Sequence, residues 1–155
     1  MTRTQILIAL KKYFNVKELV CNHVYSRFNE GAWFLIPTFW LHTLLILRRD
    51  ILQLPLICNN YQSTNDNYTQ RGCRCNICQI VKDETAKNNS YNSAHLKNVA
   101  NDFTVIGMTA EQARQRIAAR QNLLPYPIRL ERGVSWLHID GYDNDNGQKI
   151  TYFDA

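Results

Sequence analysis

The sequence predicts an α+β domain in which helices come first and a mainly antiparallel sheet follows. Three observations predict it. Apolar residues recur at helical spacing early in the chain. Short alternating runs bounded by turn residues fill its last third, and one helical pattern interrupts those strands. A chain of 155 residues suits one domain, 1–155, with one sizeable core. With 45% hydrophobic and 20% charged residues, it has the composition of a folded rather than a disordered chain.

The elements follow in order. Residues 4–14 place Leu7, Leu10 and Phe14 on one helical face. "NVKELV" reads as a turn and a short second helix with Asn15 as N-cap. Thr38 is placed to cap a third helix running to about Leu52, apolar almost all round and therefore central to the core. "LPLICNN" reads as a strand. Residues 59–93 are rich in Asn, Gln, Thr and Ser and predict a long polar loop, with a helical turn or two near 76–81. "DFTVIG" is a strand. "MTAEQARQRIAAR" is a helix with a Thr109–Gln112 capping box and a buried stripe of Ala110, Ala113, Ile117 and Ala118. "YPIRLE" and "SWLHIDGY" form two strands joined by "RG". "DNDNG" is a turn, and "KITYFD" is the last strand.

The apolar stretch 32–47 is slightly short of the roughly 20 residues a membrane span needs and contains Pro37 and His42, so no membrane span is expected. Five cysteines, an odd number, and no recognisable signal peptide speak against a secreted disulfide scaffold. The net charge of +5 favours an anionic partner: a cell-wall polymer, nucleic acid or a lipid surface.

Candidate chemistry centres on three residues. His95 is followed by Asp102, which opens a strand. On "SWLHIDGY", strand alternation puts Trp136, His138 and Asp140 on one face and the apolar Leu137 and Ile139 on the other. Two imidazoles and a carboxylate form a three-ligand set typical of catalytic zinc, with a fourth position left for water. His42 reads as a core or interface residue, and His23 as an ordinary neighbour of Cys21. The run "CRCNIC" (Cys73, Cys75, Cys78) reads first as reduced cysteines. Its rival is a zinc knuckle completed by Cys58 or Cys21, which with Arg71 and Arg74 alongside would contact nucleic acid.

"SAHLKNVANDFTV" followed by "WLHID" resembles the zinc signature of the M15 family of peptidases. That family comprises the D-Ala-D-Ala carboxypeptidases and phage endolysin-type peptidoglycan peptidases, whose fold is shared with the Hedgehog signalling domain. Ser93, His95, Ala100, Asp102, Trp136 and His138 match the family pattern, and Gly72 and Arg74 in "RGCRCN" match its upstream Ser-Gly-x-Arg element. "YFNVKELV" is similar to the opening of single-domain, phage-borne members, so the resemblance extends from about Tyr13 to Phe153.

The resemblance implies a Hedgehog/DD-peptidase-like fold and Zn2+ held by His95, Asp102 and His138. It implies hydrolysis of a peptide bond in peptidoglycan stem peptides, by a carboxypeptidase or endopeptidase. Arg74 would bind the substrate carboxylate or the oxyanion. The expected protein is a phage- or prophage-encoded monomer, made in the bacterial cytoplasm and acting at the cell wall after phage-type release. Two positions depart from the pattern. Asn98 replaces a glycine, and Asn tolerates left-handed backbone better than most residues. Ser135 stands where relatives carry the general base, leaving Asp140 or Glu131 to take that role. The alternatives are a non-catalytic zinc-containing wall-binding or structural domain, and a cysteine-cluster zinc module that binds nucleic acid.

Overall fold

The structure, a computed structural model, describes residues 1–60, 68–142 and 145–154. Part of the expected 59–93 loop and of the "DNDNG" turn lies outside these residues. The described residues form six α-helices and a mixed five-stranded sheet, an α+β arrangement.

Local chemistry sets the helix starts. Helix α1 (Arg3–Leu10) opens on a Thr2–Gln5 capping box and stops before 14, the limit expected from the sequence. Helix α2 (Val16–Leu19) opens on an Asn15–Glu18 capping box, so Asn15 caps as predicted. Helix α3 (Asn22–Phe28) follows, then a 3-10 segment (Asn29–Leu35). Helix α4 (Thr38–Ile46) has Pro37 rather than Thr38 at its N-cap and widens into a π-helical turn (Leu47–Leu52). Its extent matches the expected third helix. Trp40, Leu41, Leu44 and Leu45 of α4 are fully buried. No single helix among the described residues is long and apolar enough to cross a membrane.

The "LPLICNN" strand shrinks to β1 (Leu56–Ile57). The loop helix α5 (Gln79–Ala86) begins later and runs longer than the sequence indicated. Strand β2 (Ala100–Val105) is followed by α6 (Ala110–Ala119), which carries the Thr109–Gln112 capping box. Ala113 and Ile117 are buried in the α6 stripe, but so is Arg114, which the sequence pattern leaves polar. Strands β3 (Ile128–Arg132), β4 (Leu137–Asp140) and β5 (Ile150–Asp154) complete the sheet, in the order β1-β2-β4-β3-β5. Three pairings are antiparallel, but β5 joins β3 in parallel, so the sheet is mixed.

Register positions the site. Asp102 of β2 pairs with His138 of β4, and Ala100 pairs with Asp140. Arg129 of β3 pairs with Asp140 from the other side, and Glu131 pairs with Phe153 of β5. Side chains alternate across a strand, so Asp102, His138, Asp140, Arg129, Glu131 and Phe153 share one face. The opposite face presents Asn101, Phe103, Leu130, Leu137 and Ile139 to the core, all at most 1% exposed. Trp40 of α4 donates from Nε1 to Asn101 Oδ1 (2.9 Å), satisfying both polar groups inside that core.

Candidate metal centre

His95 reaches the open face of the sheet from a tight turn after the polar loop. Within that turn, the Asn98 amide donates to His95 O and the Val99 amide to Ala94 O. Asn98 takes the left-handed conformation there, with φ 58°, as expected for the residue replacing glycine. His95, Asp102 and His138 then form a group whose ligand atoms all lie within 4.8 Å of one another. All three side chains are buried.

Each imidazole is oriented through the nitrogen that faces away from the group. His95 Nδ1 donates to Gly72 O (2.8 Å), leaving Nε2 3.4 Å from Asp102 Oδ2. His138 Nε2 lies 3.1 Å from Asp140 Oδ2, and its Nδ1 lies 2.6 Å from Asp102 Oδ1. A carbonyl or carboxylate behind each ligating histidine is the usual outer support of a metal site. With metal–ligand distances of about 2.0–2.2 Å, a tetrahedral site has edges of about 3.4 Å, the His95–Asp102 separation. The shorter His138–Asp102 contact is a proton-bridged one, and a cation would take the proton's place. The donor set fits zinc, which accepts imidazole and carboxylate together.

Charge follows geometry. Burial pushes His95 below its ordinary value, more than Asp102 raises it. Burial also opposes the charged form of His138, but bonds from Asp102 and Asp140 outweigh it and raise its pKa to about 9. Burial pushes Asp102 up, yet its bonds from His138 and His95 hold it well below the usual carboxylate range.

The two candidate bases occupy different environments. Asp140 is 0% exposed. It receives a bidentate bond from Arg129 (Nε 2.9 Å, Nη2 2.8 Å) and the Tyr142 amide (3.0 Å). Burial raises its pKa, but these partners and His138 bring it below the ordinary value. Glu131 lies 3.9 Å from His138 Nδ1, and burial pushes its carboxyl up. Both line a cleft of about 320 Å³ together with Arg74, Trp136, Phe153 and the three candidate ligands.

Arg74 forms one wall of the cleft. Its Nε donates to Gln70 O (2.6 Å), its Nη1 to the Tyr91 hydroxyl, and its Nη2 lies 3.5 Å from Asp102 Oδ2. Gly72 lies two residues before it and packs against the backbone of Leu19. A Cβ at Gly72 would stand 2.2 Å from Leu19 O, so only glycine fits.

The fold thus brings together every residue singled out for the cleft: Arg74, His95, Asp102, Glu131, Trp136, His138 and Asp140. His42 stands apart, half-buried with its ring 6.1 Å from that of Tyr126. Sequence reasoning missed three supports. Arg129 clamps Asp140. Tyr91 holds Arg74. Buried Arg114 donates to Glu131 O (3.1 Å), Trp136 O (3.2 Å) and Val134 O (3.2 Å), fixing the β3–β4 hairpin. The alternation that placed Asp140 on the open face placed Arg129 there too, a signal that was available.

The cysteines divide differently from the rival zinc knuckle. All five are free thiols. Cys73 faces the main core, and Cys58 lies against Asn101 Nδ2 (3.4 Å). Cys21, Cys75 and Cys78 instead gather with His23 in a second group able to hold a metal, so His23 is more than a neighbour of Cys21.

Comparison with protein-family models, curated proteins and solved structures returns no match for this chain.

Proposed function

We propose that the protein is a zinc-dependent peptidase acting on the stem peptides of peptidoglycan. One observation carries the reading. Two imidazoles and a carboxylate, each oriented from behind, converge at a cleft that also presents a carboxyl group, Glu131, and a fixed guanidinium, Arg74. The resemblance of "SAHLKNVANDFTV" and "WLHID" to the M15 peptidases supplies the substrate class, and the net charge of +5 suits an anionic wall polymer.

His95, Asp102 and His138 would hold the zinc, which when bound would supply Lewis acidity to a water and a peptide carbonyl. Glu131 is the general base. Its raised pKa and its place beside His138 let it accept the water proton and return it to the leaving amine. Asp140 is a positioning residue, because its oxygens are committed to Arg129, His138 and the Tyr142 amide. Arg74 holds the substrate carboxylate or the developing oxyanion by charge-assisted bonds. The nucleic-acid alternative is disfavoured by the basic residues it would use. Arg71 donates to Thr104 Oγ1 (2.8 Å), and Arg74 is drawn into the cleft beside Asp102, where it faces a cleft-bound substrate rather than an open basic surface.

Hydrolysis of purified peptidoglycan by wild type, Glu131→Gln and Asp140→Asn tests the reading. Glu131→Gln is expected to lose about 10²–10⁴ in kcat with zinc retained. Asp140→Asn is expected to lose about 10–100-fold in zinc affinity. An active Glu131→Gln enzyme would reassign the base. Wild-type protein that releases no peptide product, with zinc bound, would make this a non-catalytic zinc domain.

A further inference from the structure

We infer that Cys21, His23, Cys75 and Cys78 hold a second, structural zinc ion, which ties the N-terminal helices to the segment carrying Gly72 and Arg74. Its ligands are distinct from those of the histidine–aspartate centre, and its binding requires no hydrolytic activity.

The distances carry it. Cys21 Sγ lies 3.6 Å from Cys75 Sγ, and Cys75 Sγ lies 3.8 Å from Cys78 Sγ. His23 Nδ1 lies 3.6 Å from Cys75 Sγ and 3.8 Å from Cys78 Sγ. Zinc–sulfur bonds of about 2.3 Å and zinc–nitrogen bonds of about 2.0–2.1 Å, set tetrahedrally, give sulfur–sulfur edges of about 3.8 Å and sulfur–nitrogen edges of about 3.6 Å. Four of the six edges have about these lengths, and all four ligand atoms lie within 4.8 Å of one another. A disulfide needs its sulfurs about 2.05 Å apart, and three thiols with an imidazole at these separations satisfy a cation better than one another. Three sulfurs and one imidazole, arranged as Cys-x-His and Cys-x-x-Cys, form a closed structural set with no position left for a substrate.

One sulfur also receives an amide hydrogen, as thiolates bound to a metal do: the Cys75 amide donates to Cys78 Sγ (3.3 Å). Cys21 and Cys78 are each 1% exposed, while His23 is exposed and leaves the ion a way in.

The surrounding packing shows why a cross-link is needed. Cys21 and Cys78 belong to a small apolar cluster whose one other buried member among the described residues is Val81. So little buried surface holds the polar segment weakly. Residues 72–75 serve both centres in alternation. Gly72 O accepts from His95 Nδ1 (2.8 Å), the Cys73 amide donates to Leu19 O (2.9 Å), the Arg74 amide donates to His95 O (3.0 Å), and Cys75 enters the cysteine group. Fixing Cys75 therefore fixes the carbonyl behind His95 and the guanidinium in the cleft.

Metal content and cobalt spectroscopy test the inference. Wild type is expected to bind two zinc ions per chain, and His95→Ala/Asp102→Ala to keep one. The cobalt form of that variant should show a thiolate-to-cobalt charge-transfer band. His23→Ala, at an exposed position and so without a packing penalty, should shift that band and weaken the ion's hold at least about tenfold. Zinc should protect Cys75 and Cys78 from alkylation in the wild-type protein. A cobalt-loaded wild type without the thiolate band, or alkylation at the same rate with and without zinc, would overturn the inference. Loss of zinc from the histidine–aspartate centre alone would instead count against the peptidase reading.

Discussion

Gly72→Ala is the most informative single substitution, because one methyl group there presses on both candidate centres. The added Cβ would stand 2.2 Å from Leu19 O, 2.5 Å from Leu19 C and 3.1 Å from Val20 N, all backbone atoms. Real Cβ atoms essentially never come closer than 3.0 Å, so the segment must retreat by at least about 0.8 Å. That shift strains the Cys73 N–Leu19 O bond (2.9 Å) and the Cys21 N–Cys73 O bond (2.8 Å). Overpacking costs about 1–3 kcal/mol, and each weakened backbone bond up to about 1 kcal/mol. The expected destabilisation is about 2–4 kcal/mol, which for a domain of this size lowers Tm by about 5–15 °C. Gly72 O also leaves His95 Nδ1, so zinc affinity at His95, Asp102 and His138 should fall about 10–100-fold. Calorimetry reads the first effect and chelator competition the second. A variant with wild-type Tm and wild-type zinc affinity would refute the close seating of Gly72 on Leu19 and its role behind His95.

Further outcomes follow from the same contacts. In metal-free protein His138 has a folded pKa of about 9, above its ordinary 6.5. Its protonated form therefore stabilises the fold fully below pH 6.5, and this stabilisation is lost as the pH rises through about 9. Zinc must displace that proton, so affinity at the histidine–aspartate centre should rise with pH, by about tenfold per unit, up to about pH 9. Calorimetric titration from pH 7 to 9.5 reads this, and a flat affinity would contradict it. Arg114→Met keeps the aliphatic stem but removes the donors to the Glu131, Val134 and Trp136 carbonyls. It should cost about 2–4 kcal/mol in urea unfolding and lower kcat, because the hairpin carries Glu131. Unchanged stability would show that water replaces the guanidinium.

Much of this protein could be read from its sequence alone. The capping residues Thr109 and Asn15 marked helix starts, because caps depend on neighbours three residues away. Alternation on "SWLHIDGY" placed His138 and Asp140 on one face, because pleating is a local property. His95, Asp102 and His138 were legible as a set because their residue types match one chemistry. Other features needed the tertiary structure. The sequence left Asp140 and Glu131 equal as bases. Their difference arises from Arg129, which register alone brings opposite Asp140. His23 looked incidental, and Cys73 was a ligand in the rival zinc-knuckle reading. Their roles reverse because Cys73 N and O pair with Leu19 and Cys21, which turns its side chain into the core and delivers Cys75 to His23. The parallel pairing of β5 and the burial of Arg114 were hidden for the same reason. Periodicity and capping act within a few residues and survive in a single sequence. Partners that lie 50 residues apart meet only when the chain closes on itself.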